Sequence, residues 1–160
     1  MKNMEIVRGF HNLKPNNKGC VVTIGNFDGV HLGHQAMIRR VCGQGRKLGI
    51  HSSIMLFEPQ PREFFDAKTA PARLTTMREK LELLEQTKID QVYLINFNSE
   101  FSQLTADNFV NKILLERLRV CWLLIGDDFR FGAKRMGDSF FLKKISREKG
   151  FTFETMPSLE

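Results

Sequence analysis

Short apolar runs alternate with longer amphipathic stretches along this chain. Cys20–Ile24, Ser52–Phe57, Gln91–Phe97, Val120–Ile125 and Phe151–Thr155 are each five to seven residues long, rich in branched and aromatic side chains, and predict strands. Between them the period lengthens. His31–Leu48 places apolar or small residues at Ala36, Met37, Val41 and Leu48, the spacing of one helical face. Met77–Thr87 is preceded by Thr76, which with Glu79 has the spacing of a capping box. Ala106–Leu118 follows Thr105 as a candidate cap, and Ser139–Lys149 completes the set. This repeated alternation predicts an α/β chain built as a doubly wound parallel sheet with helices on both faces.

Right-handed crossovers bring the carboxyl ends of all strands in such a sheet to one edge. The three most unusual segments all follow strands: Gly25–His34, Glu58–Phe65 and Gly126–Gly137. Ligands of open α/β sheets bind at that edge, where strand order reverses. If Cys20–Ile24 and Val120–Ile125 are neighbours, their two Gly-rich loops line one crevice. Glu58–Thr75, with Pro59, Pro61 and Pro71, is the longest expected loop and a candidate lid or substrate flap. No internal repeat or low-complexity tract interrupts the pattern.

Composition narrows the class. The 160 residues suffice for one domain with a core, at 42% hydrophobic and 26% charged residues. No run approaches the roughly 18 apolar residues of a membrane span, and no leader pattern opens the chain, so a cytoplasmic setting without a membrane partner is expected. Cys20, Cys42 and Cys121 fall in or beside apolar or helical runs without C-x-x-C spacing, and are expected to be core thiols in a reducing compartment. The net charge of +6 is scattered. Arg39, Arg40, Arg46 and Lys47 lie along one helix and Lys143, Lys144 and Arg147 along another, which reads first as solvated faces and second as a general attraction for anionic substrates. Nothing resembles a nucleic-acid-binding motif, and no nucleic-acid partner is expected.

The densest chemistry is Gly25-Asn26-Phe27-Asp28-Gly29-Val30-His31-Leu32-Gly33-His34. A strand runs into a Gly-rich turn that opens a helix, and the helix start offers free N–H groups and a partial positive charge. His31 and His34, separated by a small residue, can face one volume and donate to phosphate oxygens. Phosphate chemistry is the leading reading, ahead of structural histidines or a metal site. A catalytic zinc site wants a third ligand, and nothing in the sequence supports Asp28 or His51 for that place. The P-loop, dinucleotide and nucleophile-elbow signatures are absent.

Gly25–His34 resembles the G-x-F-D-G-x-H-x-G-H signature of the bacterial FAD synthetases, the adenylyltransferase modules of bifunctional riboflavin kinase/FMN adenylyltransferases, in the HxGH nucleotidyltransferase superfamily. Phe57-Glu58-Pro59-Gln60-Pro61 with Phe64-Phe65 is similar to that family's F-E-P-x-P-x-x-F-F segment. Arg73-Leu74-Thr75 with Glu79-Lys80 is similar to its R-L-T-x-x-x-E-K run. Gly126-Asp127-Asp128-Phe129-Arg130-Phe131-Gly132, with Arg135 and Gly137, resembles its G-D-D-F-R-F-G-x-x-R-x-G motif. Four motifs in family order cover nearly the whole chain.

The resemblance implies a Rossmann-like nucleotidyltransferase fold and transfer of AMP from ATP to FMN, with Mg²⁺ accompanying the nucleotide. It implies that Gly25, Asn26, Phe27, Asp28 and Gly33 hold ATP, with His31 and His34 on the reacting phosphates and Gly126 and Asp127 nearer the adenosine. It places Pro59, Pro61, Phe65, Asp128 and Phe131 around the flavin. Arg130 and Arg135 either neutralise phosphate or, for Arg130, form a buried carboxylate pair that stiffens the loop. Phe97, Phe101, Phe109 and Trp122 read as core, and Thr105–Asn108 as a helix cap.

Two departures from the family pattern stand out. Leu32 occupies a position where many relatives carry Arg, at little cost if it faces outward. The family's I/V-S-S-T-x-x-R phosphate motif and its riboflavin kinase module are expected beyond Glu160, and Ser158-Leu159-Glu160 reads as an expression scar, so the chain is expected to be cut from a longer one. The rival readings are another HxGH adenylyltransferase and a nucleotide- or flavin-binding fragment without turnover.

Overall fold

The computed structural model describes residues 4–12, 18–30, 32–66, 68, 70, 72 and 75–157. Six strands, β1 (Glu5–Arg8), β2 (Cys20–Ile24), β3 (His51–Glu58), β4 (Gln91–Asn96), β5 (Val120–Gly126) and β6 (Thr152–Met156), form one sheet in the order β1-β4-β3-β2-β5-β6. Every pairing is parallel. The chain walks outward from β2 through β3 to β4, then returns to pair β5 with β2. The reversal of strand order therefore falls between β2 and β5, as the sequence pattern allowed.

The helices are α1 (Leu32–Leu48), α2 (Pro61–Phe65), α3 (Met77–Glu85), α4 (Ser99–Ser102), α5 (Ala106–Asn108) and α6 (Ser139–Lys149). Two apolar clusters flank the sheet, the signature of helices on both faces. Ile38, Val41 and Cys42 of α1 and Leu84 of α3 pack with Val21, Ile54, Val92 and Trp122. Phe109, Val110, Ile113 and Leu114, after α5, and Leu142 and Ile145 of α6 pack with Val22, Met55, Ile95 and Leu123. All five residues of β2 are buried, as befits the central strand of a sheet covered on both faces.

Local signals set several boundaries. Thr76 accepts from the Glu79 backbone N–H at 3.1 Å while the Glu79 carboxylate accepts from the Thr76 N–H at 3.1 Å, closing the capping box. Thr105 caps α5 through the Asn108 N–H. Asp138 caps α6 through the Phe141 N–H, and Gly150 ends it at φ 82°.

Four expectations are corrected. The loop over Glu58–Thr75 contains α2, which Pro61 starts because a proline at the first helical position loses no hydrogen bond. Ala106–Leu118 is helical but turns π-helical over Phe109–Arg117, with the Leu118 N–H reaching the Ile113 carbonyl five residues back. β1 and α4 were not anticipated. Cys121 is not a core thiol: Cys20 pairs with Val120 and Val21 with Trp122, so Cys121 is the extra residue of a register shift and turns to solvent.

Candidate active site

The loop after β2 continues the ladder for one more bond, from the Gly25 N–H to the Met55 carbonyl. It then bends sharply, with Phe27 at φ 51°, Gly29 at 76° and Val30 at 45°. A Cβ on Gly25 would sit 3.1 Å from the Phe27 ring, so a side chain there would press on the ring. That ring is buried and meets the His34 imidazole with centroids 4.9 Å apart. His34 is half-buried and Gly33 buried in the first turn of α1. Leu32 is 77% exposed, the outward placement the motif's departure required. His31 lies outside the described residues.

Thr75, just before α3, and Lys80 within it hold this loop. The Asp28 carboxylate accepts from the Thr75 N–H at 3.1 Å and from its hydroxyl at 3.0 Å. The Gly29 N–H donates to the Thr75 hydroxyl oxygen at 3.2 Å. Lys80, wholly buried, donates from Nζ to the Asn26 carbonyl at 2.6 Å. The sequence singled out Thr75 and Lys80 only as part of a motif, with no role. Their place against the loop after β2 is a finding of the structure. Arg73 and Leu74 of that motif lie outside the described residues.

At the end of β3, Pro59 and Pro61 are half-buried and lead into α2. The Gln60 N–H donates to the Glu63 carboxylate at 2.8 Å, fixing the turn. Phe64 and Phe65 meet each other and Phe97 edge-on, with centroids 5.3 to 5.7 Å apart. Phe97 in turn meets Phe57 and Phe101. A continuous aromatic surface thus climbs from the core to Phe65, which is 65% exposed, and offers a flat ligand an apolar face.

The loop after β5 is braced from two sides. The Asp127 N–H donates to the Met156 carbonyl, and Phe131 and Gly137 exchange backbone bonds as a one-residue antiparallel bridge. A Cβ on Gly137 would overlap the Phe131 ring at about 2.5 Å. Gly132 holds φ 78° where a Cβ would strike the Ala106 backbone at 2.7 Å. Phe131 is buried between Phe109, Phe129 and Phe141. Asp127, Asp128, Arg130 and Arg135 are exposed. Arg130 does pair with a carboxylate, Asp138 at 3.5 Å, but the pair is half-open to solvent rather than buried.

The sheet order β3-β2-β5 sets these three loops side by side at one edge, with the His34 loop in the middle. Phe97 joins the aromatic surface under α2, whereas Phe101, Phe109 and Trp122 are core. Among the described residues no group of three or more His, Cys, Asp or Glu side chains is placed to hold a metal ion, and no helix is long and apolar enough to cross a membrane.

Comparisons with known proteins agree with this geometry. Residues 13–160 match the family model described as FAD synthetase. The bifunctional riboflavin kinase/FMN adenylyltransferase of Escherichia coli strain K12 is 50% identical over 149 residues, covering 92% of this chain and 48% of the relative. The protein of the same description from Pseudomonas fluorescens is 46% identical over 157 residues, covering 98% of this chain and 50% of the relative. The chain thus spans about half the length of these curated relatives. Among solved structures, the macrolide-efflux protein from Streptococcus pneumoniae superimposes with a TM-score of 0.78 over all of this chain and 52% of its own, at 21% identity, a likeness of fold alone.

Proposed function

The chain belongs to the FAD synthetase family, and from that premise we propose that it transfers the adenylyl group of ATP to FMN, giving FAD and pyrophosphate. The observation that carries this reading is adjacency. A His-bearing loop at a helix start, an aromatic wall and a braced Gly-rich loop emerge from three neighbouring strands at the point where strand order reverses.

In this reading Gly25, Asn26, Asp28 and Gly33 shape the ATP loop, and Phe27 acts from beneath it by bracing His34. His31 and His34 donate to phosphate oxygens as charge develops and form no covalent intermediate. Gly126 and Asp127 border the adenosine. Pro59, Pro61 and Phe65 form the flavin wall, with Asp128 opposite and Phe131 supporting that loop from the core. Arg130 and Arg135 supply positive charge near the phosphates. An oxygen of the FMN phosphate attacks the α-phosphorus of ATP and a P–O bond forms. The bridging bond to the β-phosphate breaks, and its electron pair leaves on pyrophosphate. Mg²⁺ is proposed as a companion of the nucleotide, where it supplies charge neutralisation. The reading places the enzyme in the cytoplasm.

The test is FAD formation from FMN and Mg-ATP, followed by chromatography, for the wild-type chain and a His31→Ala, His34→Ala double variant. Turnover is expected, and losing both donors should lower kcat by at least about 100-fold. Binding of both ligands without turnover would reduce this chain to a binding module. Turnover with a different phosphate acceptor instead of FMN would move it to another adenylyltransferase specificity.

A further inference from the structure

Lys80 sits where helix physics does not want it. It lies in the first turns of α3, the positive end of the helix dipole, and its side chain is wholly buried. An ammonium taken out of water is costly unless it is paired and hydrogen-bonded, and an apolar side chain of the same length would serve packing better. A local choice that conflicts with the stability of its own element marks a functional demand. One partner of Nζ points to that demand: the Asn26 carbonyl, at 2.6 Å, on the neighbouring loop.

That loop needs holding. Phe27 and Val30 both have φ between 45° and 51°, a region that bulky and β-branched residues avoid. Backbone of this kind costs about 1–3 kcal/mol per residue and persists only where its surroundings over-determine it. Three contacts from the α3 side do so. Lys80 takes the Asn26 carbonyl, Thr75 binds the Asp28 carboxylate through its N–H and hydroxyl, and the Thr75 hydroxyl oxygen accepts from the Gly29 N–H. Each lands on a different residue of one short turn.

We propose that Thr75 and Lys80 are positioning residues that clamp Asn26–Gly29 so that the first turn of α1 meets the triphosphate of ATP in a fixed geometry. Neither touches the reacting atoms; Lys80 acts through the Asn26 carbonyl, and Thr75 through the Asp28 carboxylate and the Gly29 N–H. The proposal rests on the reading of that loop as the nucleotide site. It is specific to one substrate, because the flavin wall is carried by α2 and the end of β3.

The test compares Thr75→Val and Lys80→Met with Leu81→Ala, a truncation on the same helix away from the loop. Two quantities are read: amide hydrogen exchange in the ligand-free protein, and binding of Mg-ATP and of FMN measured separately. Both clamp variants should speed exchange at Val30, whose N–H donates to the Phe27 carbonyl, while Val21–Ile24 stay protected. Both should weaken Mg-ATP at least about fivefold, the equivalent of one lost buried hydrogen bond, with FMN changed less than about twofold. Leu81→Ala should lower Tm without this selectivity.

Unchanged exchange at Val30 overturns the proposal, and so does a parallel loss of ATP and FMN affinity. A loosened loop with undiminished ATP affinity also overturns it, leaving the clamp a structural tie. If Lys80→Met does not fold, Thr75→Val, which keeps the volume, decides. A wild-type chain that binds neither ligand refutes the adenylyl-transfer reading itself, and the exchange data still decide whether the clamp holds the loop.

Discussion

The three cysteines show how far a side chain's neighbours, rather than its type, decide its chemistry. Burial pushes the Cys20 thiol up to about 12, and its Sγ donates to the Leu118 carbonyl at 3.3 Å. Burial also raises Cys42, which lies on the buried face of α1 beside Ser52. Both thiols stay protonated and shielded at neutral pH, whereas Cys121 is exposed. Because the thiolate is the nucleophile, a disulfide reagent at mild alkaline pH should titrate one thiol per native chain. Peptide mapping should find the label on Cys121, and all three cysteines should react in denaturant. Fast labelling of Cys20 in the native protein would contradict the packing. The sequence misplaced Cys121 because an apolar run carries no sign of a register shift. Phe27 and Phe131 pose a related difficulty: the resemblance implies ligand contact for both, and the structure adds that both rings are buried, Phe27 against His34 and Phe131 among Phe109, Phe129 and Phe141, a packing that no motif spells out.

At the scale of elements, α3 shows which features a sequence displays. Its start depends on residues three apart, and the box formed as the spacing predicted. The Glu79 carboxyl is held below its ordinary value of 4.5, first by the Thr76 backbone N–H and then by the Thr76 hydroxyl. A carboxyl lowered in the folded state stabilises above its unfolded value and loses that contribution as pH falls through the folded one. Wild type should therefore melt above Glu79→Gln at neutral pH, with the difference in Tm shrinking as pH falls below the ordinary carboxyl value of 4.5 and through the lowered one. A difference that persists in acid would mean that the carboxylate charge is not the cause. β1, α2 and the π-helical segment escaped the sequence for the opposite reason. β1 has four residues, mostly exposed, and exists because Glu5–Arg8 pair with Gln91–Leu94 at the sheet edge. Three prolines hid α2, and a π-helix follows the same apolar spacing as an α-helix over so short a length.

For the molecule as a whole, topology was legible and the clamp was not. Alternating runs plus handedness bring the loops that follow strands to one edge, whereas the crevice between the loops after β2 and β5 depends on those strands being neighbours, which the structure shows. The Lys80 contact joins residues far apart in sequence, and no periodicity announces it. Charge belongs to this scale too. The +6 net charge is spread over helix faces, with Arg39, Arg46, Lys47, Lys143, Lys144 and Arg147 all exposed. Arg40 is also exposed, reaching Glu154 at 3.0 Å and lying over the Trp122 ring. Such a field draws a polyanion toward the protein without forming part of its site, and it acts on the rate of encounter. Raising ionic strength from about 50 to 500 mM shortens the screening length to a few ångströms. The association rate of Mg-ATP should fall accordingly, with dissociation little changed, in stopped-flow measurements. Lys143→Glu with Lys144→Glu, which lowers the net charge by four units, should slow association at low salt and match wild type at high salt. If those substitutions instead speed dissociation, α6 contacts the nucleotide directly, and the cationic face belongs to the site rather than to the field around it.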